Sequence, residues 1–368
     1  MTFNIRLDHG EKRPFLSPPT KEDPFDPKQF AEEQPWSIRK WKIADTIRLY
    51  LPDVLGLQEP LIHQLRDLEV LLHDEYDWVG VGREDGEEKG EFAAVFYKKQ
   101  VLAIEDWKTI WLSEEPNVPG SLGWDARHPR IATQITFLKK DDGINFTIFN
   151  AHFDHKGERA KEEAAKLILK IAKDASKMGP VFLLGDLNST DKDPAYITLT
   201  GGQYNDFNGK NDTLLNIKRL NQVCASAISR QTNEPVRTSD EHMTLPTHRV
   251  IRPADILHHI KKPEAESSKA NISHSEIFFR DAQHELTTLL ETKGAAGALS
   301  GPYGYRNTLT SFGIGEEYNR APIRIDFIMH LQSEKFNVKT HHYAILSNRF
   351  DDGLYISDHR PVLARVSW

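Results

Sequence analysis

PVFLLGDLNST (residues 180–190) is the stretch whose reading decides how this chain folds. Its first half, led in by Pro180, is short and apolar, as a buried strand is. Its second half is small and polar. Side chains alternate along a strand with period two, so Asp186 and Asn188 are expected on one face. That pair sets a negative oxygen beside a neutral amide. It could simply end a strand, or it could hold something at the edge of a sheet. The segment before it, ERAKEEAAKLILKIAKDASK (158–177), carries an apolar stripe through Ala164, Leu167, Ile168, Ile171 and Ala172 and predicts an amphipathic helix.

Outward from this centre the chain alternates strands and helices. MTFNIR (1–6) alternates and reads as a strand. Residues 11–36 are rich in proline and charge and read as a long loop. From Ser37 the pattern predicts a helix with Ile38, Trp41, Ala44, Ile47 and Leu51 on one face, Ser37 as N-cap and Pro52 as stop. DVLGLQE (53–59) then reads as a buried strand ending in a carboxylate, followed by a second helix over 61–72. GEFAAVFYKK (90–99), RIATQITFLKK (130–140) and NFTIFNAHFDH (145–155) are strand-like, and DDGI makes a hairpin turn between the last two. The final strands are IRIDFIMH (323–330), residues 336–346 and SDHRPVLARVSW (357–368). Between about 205 and 280 the pattern loosens. We read this stretch as an insertion on one domain spanning 1–368, because it has no long apolar period of its own.

The bulk properties exclude several classes. The 368 residues carry a net charge of −7, which is not the footprint of a protein that coats nucleic acid through a broad basic face. Residues 216–275 hold nine Lys/Arg against six Asp/Glu, a local +3, so the rest of the chain is at −10. Cys224 is the single cysteine, which rules out an internal disulfide framework and a cysteine-rich zinc site. No apolar stretch is long enough to span a bilayer, and no basic-then-apolar leader stands at the start. The expectation is an intracellular monomer, cytoplasmic or nuclear.

The polar residues at strand ends are Asn4, Glu59, His152, Asp186, Asn188, Asp326, Asp358 and His359. Layered sheets converge distant strand ends on one edge. Carboxylates and an amide are hard oxygen donors suited to Mg²⁺ or Mn²⁺. Imidazoles can donate to a phosphate oxygen or carry protons near neutral pH. Taken singly, each residue has a bland reading: an aspartate that forms a turn, a structural histidine, a surface glutamate before Pro60. Eight independent coincidences in suitable order weaken that reading.

TFNIR, GLQE, NAHFDH, GDLNST, IDFIM and SDHRPV, in this order, resemble the endonuclease/exonuclease/phosphatase superfamily, which includes deoxyribonuclease I, deadenylases and inositol-polyphosphate 5-phosphatases. The resemblance runs from end to end apart from the insertion. It implies a four-layer α/β sandwich of two mixed sheets with the site at their shared edge. It implies one or two Mg²⁺ or Mn²⁺ ions, with Glu59 as principal ligand and Asn4, Asp358 and Asp186 nearby. It casts Asp186 as the residue that positions or deprotonates water, Asn188 as orienting the phosphate, and His152 as touching the phosphate or protonating the leaving oxygen. Asp326 and His359 become a carboxylate–imidazole pair, and Glu91 is expected to pair with His152.

WLSEEPNVPGSLGWDARHPRIATQITF (111–137) is similar to a deadenylase-like branch with poorly characterised bacterial and fungal members. There Arg130 would reach the substrate phosphate, its fork matching that geometry, and Trp124 and His155 would shape the pocket. A salt bridge for Arg130 and a core position for Trp124 are the competing readings. The reaction implied is hydrolysis of a phosphoester. Nucleic acid is the first choice of substrate, a small or sugar-linked phosphate the second, a lipid headgroup the third. A scaffold without chemistry ranks last, because every expected position is filled.

Overall fold

The computed structural model describes residues 1–10, 33–202, 277–286, 303–313 and 323–368. The insertion therefore lies, up to residue 276, outside the described residues, as do 11–32 of the expected first loop.

Twelve strands among the described residues form two six-stranded sheets. The first contains β1 (Thr2–Asn4), β2 (Val54–Gln58), β3 (Tyr76–Val79), β4 (Ala93–Lys98), β11 (Lys339–Ile345) and β12 (Val362–Ser367), in the order β11-β12-β1-β2-β4-β3. The second contains β5 (Leu102–Trp111), β6 (Ile131–Lys139), β7 (Asn145–His152), β8 (Val181–Asp186), β9 (Phe279–Asp281) and β10 (Asp326–Leu331), in the order β5-β6-β7-β8-β10-β9. Each sheet holds one parallel pair, β1 with β2 and β7 with β8, among antiparallel neighbours.

Three apolar clusters make four layers. Val95, Ile345 and Val362 of the first sheet pack on Ile135, Phe137, Ile148, Leu184 and Ile328 of the second. Helices α1 (Trp36–Tyr50) and α2 (Ile62–Leu72) cover the outer face of the first sheet through Ile43, Ile47, Leu65 and Leu68 against Phe3, Leu57 and Phe96. Helices α3 (Glu158–Ala175) and α4 (Pro194–Thr200) cover the second through Ala164, Ile168, Tyr196 and Leu199 against Phe149, Leu183 and Phe327. With both faces of each sheet covered, the strands read as near-continuous apolar runs rather than clean alternation.

Two sequence expectations are corrected in α1. The helix begins at Trp36, with Pro35 at the N-cap, so Ser37 is already inside it. The buried face runs through Trp36, Arg39, Ile43 and Ile47, whereas Trp41 and Leu51 are exposed. The cause is Arg39, buried deep enough to donate Nη1 to the Ile5 and Ile356 carbonyls at 2.7 and 2.8 Å. A buried guanidinium rotates the apolar stripe by about one residue from where hydrophobicity alone would place it.

Strand register sets the polar edge. His152 is paired with Asp186 across β7 and β8, and Asp186 with Asp326 across β8 and β10, so three polar ends form one row. Asn4 is paired with Gln58 in the other sheet, and Glu59 follows. Two glycines permit this closeness. A Cβ on Gly185 (φ 143°) would stand 2.0 Å from the Ala151 carbonyl oxygen. A Cβ on Gly56 would stand 2.6 Å from Asn150 Oδ1, and Asn150 ties the sheets together by donating to the Leu57 and Ala94 carbonyls at 3.0 and 2.8 Å. At the opposite strand ends an apolar cavity of about 700 Å³ lies between the sheets, lined by Phe146, Phe182 and Trp368. Its lining holds one acid, Asp53, and one imidazole, His342, whereas the clustered acids and imidazoles among the described residues stand at the polar edge.

Candidate active site

Glu59 sits just past β2 in the left-handed region (φ 70°), which turns its carboxylate back over the sheet edge. Its Oε1 accepts from Asn4 Nδ2 at 3.0 Å and its Oε2 from the Leu7 amide at 3.1 Å. The same Asn4 nitrogen donates to Asp186 Oδ2 at 3.0 Å, so one buried amide bridges an acid from each sheet. Burial would raise Glu59, but Arg6, Asn4 and His359 outweigh it and hold the carboxyl below its usual value.

Asp186 ends β8 fully buried. Its Oδ2 lies 3.8 Å from His152 Nε2 and 3.8 Å from His359 Nε2. Burial and the neighbouring Asp326 push it up to about 7, against the pull of His359. The expectation that Asn188 shares its strand face is corrected. The strand ends at Asp186, and Asn188 turns left-handed (φ 44°) with its backbone amide donating to Asp186 Oδ1 at 2.8 Å. Asn188 Nδ2 donates to the Phe153 carbonyl at 3.0 Å, and its own carbonyl accepts from the buried Lys161 of α3 at 3.1 Å. An Asx-type turn wins over continued pairing because it satisfies that carboxylate locally.

Asp326 and His359 pair as expected, with His359 Nδ1 donating to Asp326 Oδ2 at 2.8 Å. Burial would lower His359, but Asp326, Asp186 and Asp358 surround it and hold it well above its usual value. Thr308 fixes the start of β10 by accepting from the Asp326 amide at 3.2 Å. Ser357 accepts from the His359 amide at 3.1 Å and donates to the Asn4 carbonyl at 2.6 Å.

Around His152 the expected Glu91–His152 contact is present but shared with two arginines. Glu91 Oε2 is 3.5 Å from His152 Nδ1, but Arg83 Nη1 holds it at 2.5 Å and Arg130 Nη1 lies 3.7 Å away. Arg130 Nη1 sits 3.0 and 2.9 Å from the two ring nitrogens of His152, and Nη2 is 3.0 Å from His155 Nδ1. Only an unprotonated ring nitrogen can accept from a guanidinium. Burial and the charges of Arg130 and Arg83 hold His152 well below its usual value. His155 is lowered to about 4, mainly by burial. Burial and Glu59 push Glu91 up to about 7.

Asp358 joins the acidic group through Arg6, whose Nη1 lies 3.7 Å from Glu59 Oε2 and 3.9 Å from Asp358 Oδ2. Burial pushes Asp358 up. Trp124 takes no part in these hydrogen bonds and ion pairs. Its amide donates to Glu114, while the adjacent Asp125 accepts from the Ala160 amide at 2.6 Å and so caps α3 from a distance. Sequence reasoning missed Arg6, Arg83, Lys161, Thr308, Ser357 and Asp154, whose Oδ2 lies 3.5 Å from Arg130 Nε, the ion pair that was the competing reading for Arg130. Arg6, Asp154 and Ser357 stood inside the quoted motifs, and Arg83 lies across a glycine-rich hairpin from Glu91.

Glu59, His152 and Asp186 each offer an atom within 4.8 Å of the others, and so do Asp186, Asp326 and His359. Asp326 Oδ1 is buried with no hydrogen-bond partner among the described residues. Crowded carboxylates, with Asp186 pushed up by burial and by Asp326, a bridging amide and an orphaned oxygen fit a hard divalent cation.

The Endonuclease/Exonuclease/phosphatase family profile matches residues 1–359. An uncharacterised protein of Acanthamoeba polyphaga mimivirus is 29% identical over 170 residues, which is 45% of this chain and 63% of that protein. An endonuclease/exonuclease/phosphatase of Bacteroides vulgatus superposes with a TM-score of 0.63 and 26% identity, covering 100% of this chain and 97% of that one. A mannosyl-6-phosphatase of Bacteroides thetaiotaomicron superposes with a TM-score of 0.61 and 23% identity over 100% and 98% of the two chains, a likeness of fold.

Proposed function

The chain belongs to the endonuclease/exonuclease/phosphatase family, and from that premise we propose that it is a divalent-cation-dependent hydrolase of phosphate esters, with nucleic acid as its first substrate class. The observation that carries this reading is Asp186, buried between two imidazoles at 3.8 Å each and bridged by Asn4 to Glu59.

Glu59 and Asp186 would hold the cation, with Asn4 beside them and Asp358 at the rim. When bound, it would supply Lewis-acid stabilisation of charge on the phosphoryl oxygens. Asp186, buried between the two imidazoles, is placed to orient water or take its proton. His359, held cationic by Asp326, offers a fixed positive donor to an oxygen that gains charge. His152 stays neutral and presents an imidazole backed by Arg130. Asn188 holds the Asp186 turn in place through its backbone amide.

A second reading is a phosphatase for small or sugar-linked monoesters. The buried Arg130, flanked by Arg83 and His155, favours it, because a terminal phosphate carries more charge than an internal diester. The protein with Mg²⁺ or Mn²⁺ would be given plasmid and oligonucleotide, bis-p-nitrophenyl phosphate and p-nitrophenyl phosphate side by side, with Asp186→Asn as control. Nucleic-acid cleavage lost in the control supports the first reading. Monoester turnover with intact nucleic acid moves the assignment to the second.

A further inference from the structure

Beyond the reacting groups, residues 303–306 carry two tyrosines and an arginine that the chemistry above does not use. Tyr303 is 84% exposed and Tyr305 45% exposed, so neither is a core residue. The Arg360 guanidinium lies over the Tyr305 ring at 3.8 Å and donates from Nη1 to the Asn307 carbonyl at 3.1 Å. One face of Tyr305 is therefore covered by a cation, and its exposure belongs to the other. Arg306 is exposed beside it, and Arg349 lies over Tyr355 at 5.5 Å.

The loop is fixed to the site at both ends. Gly304 (φ 99°) approaches β11 so closely that a Cβ would stand 2.2 Å from the Ile345 carbonyl oxygen, and the Tyr305 amide donates to that oxygen at 3.0 Å. Further along, Thr308 accepts from the Arg360 amide through its carbonyl at 2.8 Å and from the Asp326 amide through its hydroxyl. Leu309 forms a β-bridge with His359. The cation that backs Tyr305 thus belongs to the residue next to His359, with Cα atoms ~3.8 Å apart.

A rigid aromatic face with basic residues interleaved is what a single-stranded nucleic acid uses: bases stack on the rings and the backbone meets the cations. A guanidinium already stacked on one side keeps the ring from turning, so less order must be lost on binding. We propose that Tyr305, backed by Arg360, and Tyr303 form a stacking platform for nucleobases of a single-stranded substrate. The proposal rests on the phosphoesterase reading and names its substrate class.

The test is the affinity of the full chain, by fluorescence anisotropy in EDTA, for labelled oligothymidylate and for an abasic oligonucleotide of equal length and charge. The expected result is about tenfold tighter binding of the base-bearing strand. The double variant Tyr303→Ala/Tyr305→Ala should bring the two affinities together with its melting temperature kept, and Tyr305→Phe should retain the preference. Equal binding of both strands by the unaltered protein, or a preference that survives the double variant, would overturn the platform. Loss of the reaction reading shows separately, as failure to hydrolyse any phosphoester with Mg²⁺ or Mn²⁺.

Discussion

His152 and His359 lie at the same distance from the same oxygen, 3.8 Å from Asp186 Oδ2, yet they sit in opposite charge states. His359 has Asp326 to itself at 2.8 Å, with Asp186 and Asp358 around it, and is held protonated. His152 has Glu91 at 3.5 Å, but that carboxylate is taken by Arg83, and Arg130 presses on the ring. Both rings are almost fully buried, so burial alone would neutralise both. The difference lies in the ratio of charges. One carboxylate facing one imidazole fixes a cation, whereas a carboxylate held by Arg83, beside an Arg130 that also reaches Asp154, cannot. The site is thereby split into an acidic half that encloses the His359 imidazolium and a half whose positive charge resides on arginine.

The largest effect is expected where the halves meet. Asp186→Asn or His359→Ala should lower kcat by at least ~10²-fold with the fold intact by circular dichroism, and near-normal turnover in either would remove the assignment. Asp326→Asn and Glu91→Gln probe the asymmetry directly. Because Asp326 holds His359 above its usual value, Asp326→Asn should let the ring lose its proton at lower pH. The alkaline limb of the kcat/KM profile should then shift to lower pH, with a loss of about 10-fold or more. Glu91→Gln should leave that limb in place. Equal shifts in both variants would break the distinction drawn between the two histidines. Smaller again is Arg130→Gln, where we expect about a tenfold loss in kcat/KM. Removing its charge should raise the pKa of His152, readable from the imidazole resonances, and an unmoved resonance would show that Arg130 does not set that ring's state.

The difference between these halves also marks what the sequence could carry. Asp186 and Glu59 follow apolar strand runs, and Asp326 and His359 precede them on antiparallel strands, so period-two patterning and motif order bring all four to one edge. Strands β7, β8 and β10 were visible for the same reason. Glu91, Arg83 and Arg130 sit in loops and at strand starts, where contact depends on how a hairpin closes, and no period encodes it. Strand β5 was missed because Glu105–Lys108 in its middle are exposed at the sheet edge and break the apolar pattern. Asp358 groups with the acids by its residue type at a strand end, whereas Arg6, which links it to Glu59, carries no such signal within TFNIR. The rotation of α1 follows from Arg39, whose buried guanidinium no hydropathy pattern announces.

The smallest effect on turnover is expected outside the site, and it isolates the principle behind His359. Asp281 is fully buried on β9, with Arg324 Nη2 at 2.8 Å and the Tyr196 hydroxyl donating at 2.8 Å. Burial would raise this carboxyl, but Arg324 and the hydrogen bonds outweigh it and hold it below its usual value. Its folded pKa is depressed, so its stabilisation is fully present above the unfolded value, ~3.9. That stabilisation is lost as pH falls through the folded value. Asp281→Asn leaves a buried guanidinium without this counter-charge and should cost about 3 kcal/mol at pH 7. The gap in unfolding free energy between the two proteins should narrow as pH falls below ~3.9, where the unfolded chain takes up the proton first, and level off once the native carboxyl follows. Turnover at a temperature where both are folded should not change. A gap constant from pH 7 down to the acid transition would mean that charge pairing is not what Asp281 contributes, and would weaken the same argument for Asp326.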